Sequence, residues 1–378
     1  MHYDFDFGIV KDVHKRNKIF NENGKSRGNI RILYFTGYIS NFRAQTINMV
    51  DGKKVVTKID KGQVFTEKID KWRKAMVFTF PDIKPGSVIE YEFNHMTQML
   101  TLPAWFFQED IPVRYSELIT KVPTDHYYRQ QARLRQPLVK NTSSTESLTG
   151  NVNRMPTTLD VSTRALANVP SLPYEPFMSS QLDNFQSIYF ILSGFRQTNN
   201  SSLGAVNDTW AKIGGTLADE EDFGRQLKKS LLNEQVLIAK AATLKTDDQK
   251  IAYLFNEVKG QMKWNRNDSW YTNDGVVKAW EKKIGNATEI NLVLYNLLHK
   301  AGITAYPMVV STRDHGKVYP SYTFIHQFNR GVVYIPVDST RSYVLDASNK
   351  YNLYNQVPDN LLNSSGLYID KENNAYDI

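Results

Sequence analysis

The stretch Gly285-Asn286-Ala287-Thr288-Glu289-Ile290-Asn291-Leu292 carries the strongest chemical signal in this chain. Asn286 and Glu289 stand at N-cap and N3 spacing, so each satisfies a free donor at a helix start. Ile290, Val293, Leu294, Leu297, Leu298 and Ala301 then recur at helical intervals and give one apolar face. Gly302 ends the run as a C′ glycine does. Ala287 therefore falls at the positive end of a buried helix. A thiol in such a place has a lowered pKa and becomes a nucleophile. Here the residue is alanine, and the 378 residues include no cysteine. Thr288 is the nearest hydroxyl, but a nucleophilic threonine needs an adjacent base and none is evident; packing at the helix start accounts for it. Glu289 is a candidate acid or base, although capping the helix explains it more cheaply.

Other candidates are weaker. Trp264-Asn265-Arg266-Asn267-Asp268-Ser269-Trp270-Tyr271 sets polar residues between aromatics. Exposed, such a segment suits a sugar or peptide, because rings stack while amides hydrogen-bond; buried, its tryptophans are core. The seven histidines are scattered, with no pair at zinc-motif spacing, so no metal and no cofactor are expected. Gly24-Lys25-Ser26 matches the end of a phosphate loop, but Ile19 stands where that motif needs glycine, so a hairpin turn explains it. Arg313-Asp314-His315-Gly316 reads as a turn between strands.

The Ala287 region resembles the core of the transglutaminase-like superfamily, related to papain-type thiol enzymes. In that pattern Gly-x-Cys opens a helix, a Leu-Leu pair follows and Ala-Gly-Ile closes it. Leu297-Leu298-His299-Lys300-Ala301-Gly302-Ile303 fits the close, and counting back places Ala287 on the catalytic cysteine. The resemblance implies a histidine on a following strand and an aspartate on the next. The aspartate matches Asp346, in Tyr343-Val344-Leu345-Asp346-Ala347-Ser348. The histidine falls near Asn329, and which of Phe328, Asn329 or Arg330 holds its position stays open, since strand register can slip by one residue. His326 lies three residues earlier, and an odd offset in a strand points a side chain to the opposite face. The vestigial set is thus Ala287, Asn329 and Asp346, with Asp346 expected to hydrogen-bond Asn329 or a bound ligand's donor. In a working thiol site the histidine takes the proton and the aspartate orients it; Ala287 offers no nucleophile and Asn329 no base. The resemblance also places Trp264, Trp270 and Tyr271 along the active-site groove, and Arg313 close to it.

The N-terminal half has a second resemblance. Ala75-Met76-Val77-Phe78-Thr79-Phe80-Pro81-Asp82-Ile83-Lys84-Pro85-Gly86 and Leu102-Pro103-Ala104-Trp105-Phe106-Phe107-Gln108-Glu109-Asp110 are similar to an uncharacterised β-sandwich family. That family precedes a transglutaminase-like core in many Bacteroidota proteins. Val309-Val310-Ser311-Thr312-Arg313-Asp314 is similar to it as well. There the cysteine position often reads Gly-Asn-Ser/Ala/Cys-Asp/Glu-Ile-Asn, so alanine is within its range. Its chains begin with an export signal, which implies an exported protein, periplasmic or in the cell envelope. It also implies that this chain is a fragment at both ends or a natural short form, because Met1-His2-Tyr3-Asp4-Phe5-Asp6-Phe7 is not a signal peptide.

These residues need elements to hold them. From 1 to about 200 the chain reads as strands and turns. Ile89, Tyr91 and Phe93 alternate with Glu90 and Glu92, and Met76, Phe78 and Phe80 do likewise. Asn21 to Gly24 and Lys84-Pro85-Gly86 are turn signals, and Asn141 to Thr145 is a polar loop. The best linker is 197–202. Glu220, Glu221 and Asp222 suit the first turn of a helix as dipole partners. Thr246 to Gln249 is capping-box-like and opens a helix with Ile251, Leu254, Phe255, Val258 and Met262 on one face. Strands follow near 304–311, 324–335 and 342–347. The expected class is α+β: an antiparallel β-sandwich over 1–200, a linker and helix entry over 201–222, and a papain-like, transglutaminase-like core over 223–378.

Composition narrows the functions. Forty-six basic against thirty-nine acidic residues give +7, mild for this size, and the lysines from 53 to 74 are interleaved with Asp51, Asp60, Glu67 and Asp70. Nucleic-acid binding is not indicated. No apolar run approaches the roughly twenty residues of a membrane span. The reading is a pseudoenzyme that binds a peptide, glycan or protein segment in a remnant cleft. Two alternatives stand beside it: a hydrolase using Asp346 or Glu289 with water, and an assembly component of an envelope complex whose cleft is filled by its own side chains.

Overall fold

Contacts in the computed structural model, which describes residues 1–97, 99–149, 156–196, 203–205, 209–362 and 365–378, divide the chain into two units. One comprises Met1–Leu172 with Phe185–Asn207, the other Pro173–Asn184 with Asp208–Ile378. The linker expected at 197–202 lies outside the described residues. The chain is mixed α and β, with several sheets.

In the first unit, alternation decides which faces meet. Strand Val88–Met96 turns Ile89, Tyr91 and Phe93 inward, and strand Arg73–Thr79 with the residue after it turns in Met76 and Phe78, then Phe80. These side chains form one cluster with Ile19 and Ala44, and the Phe78 and Tyr91 rings meet edge-on at 5.8 Å. The two strands belong to different sheets. Val88–Met96 lies within an eight-stranded sheet, between Gly8–Lys18 and Tyr38–Val50, while Arg73–Thr79 is the centre of a three-stranded one. A third sheet pairs His126–Arg133 with Ser187–Arg196. Pro85 and Gly86 make the expected turn, with Ser87 N donating to Lys84 O (2.9 Å) and Gly86 at φ +95°, where a Cβ is strained.

Two expectations in this unit are corrected. The polar stretch from Asn141 to Thr145 is an edge strand, Lys140–Leu148, rather than a loop. Almost all of it is exposed, so it pairs through its backbone with Thr157–Val169 while burying nothing that a hydrophobic pattern would reveal. Gly24-Lys25-Ser26 lies in a 3-10 helix, Glu22–Gly28, capped by Asn21. It is not a hairpin turn, because the strands on either side enter different sheets.

The second unit has a five-stranded antiparallel sheet in the order Ser342–Leu345, Arg330–Pro336, Tyr306–Val310, Gly366–Asp370, Ala375–Asp377. Helix Ala287–Lys300 packs on it through Arg330–Pro336. The helix ends as its sequence predicts: Gly302 N donates to His299 O and Ile303 N to Leu298 O, with Gly302 at φ +80°. Its apolar face is wider than expected, since every residue from Ala287 to Leu298 is buried. The polar members are absorbed by internal partners; Asn296, for example, takes Lys228 N and gives to Gln226 O. Thr246 accepts from Gln249 N and opens helix Asp247–Gln261, which buries Ile251, Leu254, Phe255 and Val258.

Two further expectations change. Glu220 to Asp222 follow helix Trp210–Asp219 instead of opening one, because Thr209 is the N-cap. The strand expected over 324–335 starts at Arg330. Ile325–Gln327 is a 3-10 turn held by Gln327, whose side-chain oxygen accepts from Tyr319 N at 2.8 Å. His326 thus sits on that turn, and the alternation argument has no strand to act on.

Candidate functional site

The start of the Ala287 helix is pinned from several directions. Asn286 Oδ1 accepts from Glu289 N, and Glu289 Oε2 accepts from Asn286 N, both at 2.8 Å, which is the capping box read from the sequence. Glu289 Oε1 also accepts from Asp274 N (2.6 Å) and Gly275 N (3.1 Å), so this one carboxylate ties the preceding loop to the helix. Burial pushes the Glu289 carboxyl up, and the amides of Asn286 and Asp274 pull against it. Asn286 Nδ2 donates to Ser269 Oγ and Tyr271 O. Thr288 Oγ1 donates to Ser269 O (2.5 Å) and accepts from Gly331 N (2.6 Å), which uses up the hydroxyl nearest Ala287. Residue 331 has to be glycine for this approach: a Cβ there would come within 2.8 Å of Thr288 Cγ2. Ala287 has no exposure at all, and its N–H donates to Asn267 O, which also accepts from the indole of Trp264.

One turn further on, Asn291 links the helix to the sheet. Its Nδ2 donates to Gly331 O and to Asp346 Oδ1, and its Oδ1 accepts from Ala347 N. Asp346 is wholly buried and accepts a further bond from Ser348 N. Its other oxygen accepts from Arg330 Nη1 at 2.7 Å. Arg330, itself 2% exposed, spends Nε and Nη2 on the two oxygens of Asp268, at 2.9 and 2.8 Å. Its guanidinium also lies over the Trp264 ring, 5.2 Å from the centroid. Burial works against the Asp346 charge, but the Arg330 cation and the bonds from Ser348 and Asn291 outweigh it and hold the carboxyl below its ordinary range. Burial likewise opposes the Arg330 charge, and the two carboxylates overcome it.

Of Phe328, Asn329 and Arg330, the side chain that reaches Asp346 is Arg330. The expected Asn329–Asp346 bond is corrected. Asn329 instead clamps Thr312, accepting from its N–H and donating to its hydroxyl, both at 2.8 Å. Phe328 is buried against Trp210, with ring centroids 5.6 Å apart. Of the aromatics, Tyr271 is 4% exposed and so is core rather than an open groove wall. Trp264 and Trp270 are half-buried against the main core of this unit. Arg313 belongs to a separate place, where its guanidinium donates to Asp359 O. His326 is held below its usual pKa by burial and by the neighbouring His315 charge. Ala287, Thr288, Glu289, Trp264 and Asp346 therefore join one network, while Asn329 and Arg313 stand outside it. Sequence reasoning missed Asp268 and Asn291 as its members and held Arg330 only as one of three alternatives beside Asp346. The one local signal was Arg330, separated by Gly331 from the apolar pair Val332-Val333, a place that an exposed strand-end charge also takes.

Among the described residues, no group of three His, Asp or Glu side chains could hold a metal, and no helix is long and apolar enough to cross a membrane. The site is thus a closed ionic cluster at a helix start, in a mixed α and β unit. Residues 7–157 match a family described as a domain of unknown function with a solved structure (DUF3857). The fold resembles a crystal structure described as a "putative protease" from Parabacteroides distasonis, a Bacteroidota organism. The TM-score is 0.57 at 14% identity, covering 92% of this chain and 68% of that one. Comparison with curated proteins gave no match.

Proposed function

We propose that this chain is a non-catalytic transglutaminase-like protein: a β-sandwich followed by a papain-like core, exported to the periplasm or cell envelope, and acting by binding rather than turnover. The observation that carries the reading is the Arg330 guanidinium held between Asp346 and Asp268 beside a fully buried Ala287. An arginine cannot give up its proton near neutrality, so Arg330 is no general base, and the Asp346 carboxylate it holds is wholly buried. Thr288 and Glu289 are occupied by backbone partners, which leaves no nucleophile–base pair. Because internal side chains fill the centre, a peptide, glycan or envelope protein is bound at the surface instead of in a remnant cleft. The description of the structural neighbour favours a competing reading, hydrolysis by water on Asp346 or Glu289. That chemistry needs a carboxylate open to water, and both are buried, at 0% and 2% exposure.

The test restores the sulfur. In a chain without cysteine, Ala287→Cys creates a single thiol, and Val236→Cys, at a position 70% exposed, supplies the control. The thiol introduced by Ala287→Cys is expected to resist iodoacetamide in the folded protein and to react only on unfolding, with no cleavage or transfer on a peptide and glutamine-amide panel. Labelling at the control rate, or turnover by the variant alone, would show an open centre, and turnover by the natural chain would sink the non-catalytic reading.

A further inference from the structure

The Arg313 turn forms one wall of a small cavity, about 100 Å³, within the second unit. The turn is closed by His315 N and Gly316 N donating to Thr312 O. Gly316 adopts φ +114°, and a Cβ there would lie 3.2 Å from Asp183 Oδ1. Asp183 comes from the facing segment Pro173–Asn184 and accepts from Lys317 N at 2.8 Å, which fastens that segment to the turn. Two cations line the cavity, Arg313 and Lys317. Among the described residues neither has a carboxylate partner: Arg313 Nη2 donates to the Asp359 carbonyl, and Lys317 takes part through its backbone. With Asp183 as the one acidic lining residue, the wall carries a net positive charge.

The rim is apolar and strained. Phe177 is 96% exposed and sits at φ +66°. A bulky residue in the left-handed region costs roughly 1–2 kcal/mol, and such strain persists where surrounding structure and function retain it. Met178 lies beside it on the lining, and Leu362, 44% exposed, completes the rim. The cavity is smaller than the roughly 300–1,000 Å³ of sites for drug-sized ligands, so it admits one terminal residue rather than a folded surface.

The geometry points to a subsite for the C-terminal residue of a peptide, its carboxylate between Arg313 and Lys317 and its apolar side chain against Phe177 and Leu362. Charge-assisted bonds to a carboxylate give the affinity and the rim gives the apolar preference. This assignment does not depend on whether the Ala287 centre is catalytic.

The experiment is calorimetric titration of the full chain with N-acetyl-Ala-Ala-Leu, as the free acid and as the C-terminal amide. The acid is expected to bind, and the amide to bind at least about tenfold more weakly through loss of the charge-assisted bonds. Lys317→Gln and Phe177→Ala are expected to weaken the acid about three- to tenfold each. Phe177 is almost wholly exposed, and Lys317 is tied to the fold by its backbone, so folding is not at stake. Equal binding of acid and amide, or no heat from the acid, overturns the proposal. Sulfate that binds as tightly as the peptide acid and ignores Phe177→Ala also overturns it, by reducing the cavity to a general oxyanion site.

Discussion

Replacing Arg330 with methionine tests the ionic cluster directly. The substitution keeps a long side chain in place but takes the cation away from two carboxylates. Asp268 has 24% of its side chain exposed and can turn to water, whereas Asp346 has none. The cost therefore falls on Asp346, and breaking a buried pair by removing one partner costs about 3–5 kcal/mol. Loss of the guanidinium over Trp264 adds about 0.5–2 kcal/mol, partly offset by the apolar methionine. A net loss of about 3 kcal/mol is expected at neutral pH. The pH dependence gives a second reading. In the natural chain the Asp346 carboxyl lies below its usual range. Its contribution is therefore present above the unfolded value of about 3.9 and is lost as pH falls through the lower folded one. Without Arg330, burial instead disfavours the charged form, so the variant loses stability as pH rises. The gap between the two proteins should widen from about pH 4.5 to 7.5. Urea titration followed by tryptophan fluorescence reports it, since Trp210, Trp264, Trp270 and Trp280 all lie in the second unit. A loss below about 1 kcal/mol at both pH values would refute the reasoning. Arg330→Met with Asp346→Leu should regain at least half the loss and shed its pH dependence.

Three other substitutions probe neighbouring claims. Glu289→Gln sets an NH₂ group against backbone donors and should cost about 1–3 kcal/mol in the same titration. The Glu289 carboxyl is raised in the fold, so its contribution is complete below the unfolded value near 4.5 and fades as pH rises above it; the variant's stability profile should be flatter there, and an unchanged slope would count against the assignment. Gly331→Ala forces a Cβ onto Thr288 and should cost about 1–3 kcal/mol, read as a lowered urea midpoint; an unchanged midpoint means the strand does not press on the helix start. Gly86→Ala meets no atom within 4 Å but keeps φ +95°, so its loss of about 1–2 kcal/mol should appear in the first unit alone, by hydrogen exchange of Val88–Met96.

What could be read from the sequence was local. The Asn286–Glu289 box, the Gly302 ending and the Pro85-Gly86 turn each depend on residues within about one helical turn or one β-turn, so spacing alone specified them. The inward set Ile89, Tyr91 and Phe93 was legible because buried and half-buried residues alternate along its strand. The exposed strand Lys140–Leu148 was not, since neither of its faces is buried enough to impose a pattern. Nothing near Asn291 and Asn296 in sequence announces the partners that let these polar side chains go inside. The same applies to the centre. Arg330 meets Asp268 and Asp346 across separations of 62 and 16 residues, and beside Asn329 it looks like any strand-end charge.

That long-range pairing gives a physical reason for keeping ions where an apolar core would be at least as stable. Arg330 begins a strand whose continuation, Gly331 to Ile335, is buried except for the half-buried Tyr334, so hydrophobicity alone sets its register weakly. A slip of one residue would bring Asn329 or Gly331 to the place of the guanidinium. Asp346 would then be buried without a cation, at about 3–5 kcal/mol, and the space against Thr288 that only glycine fits would receive Arg330 or Val332. Two independent penalties thus select one alignment of helix, strand and loop. On this argument the arginine fixes the register of the core.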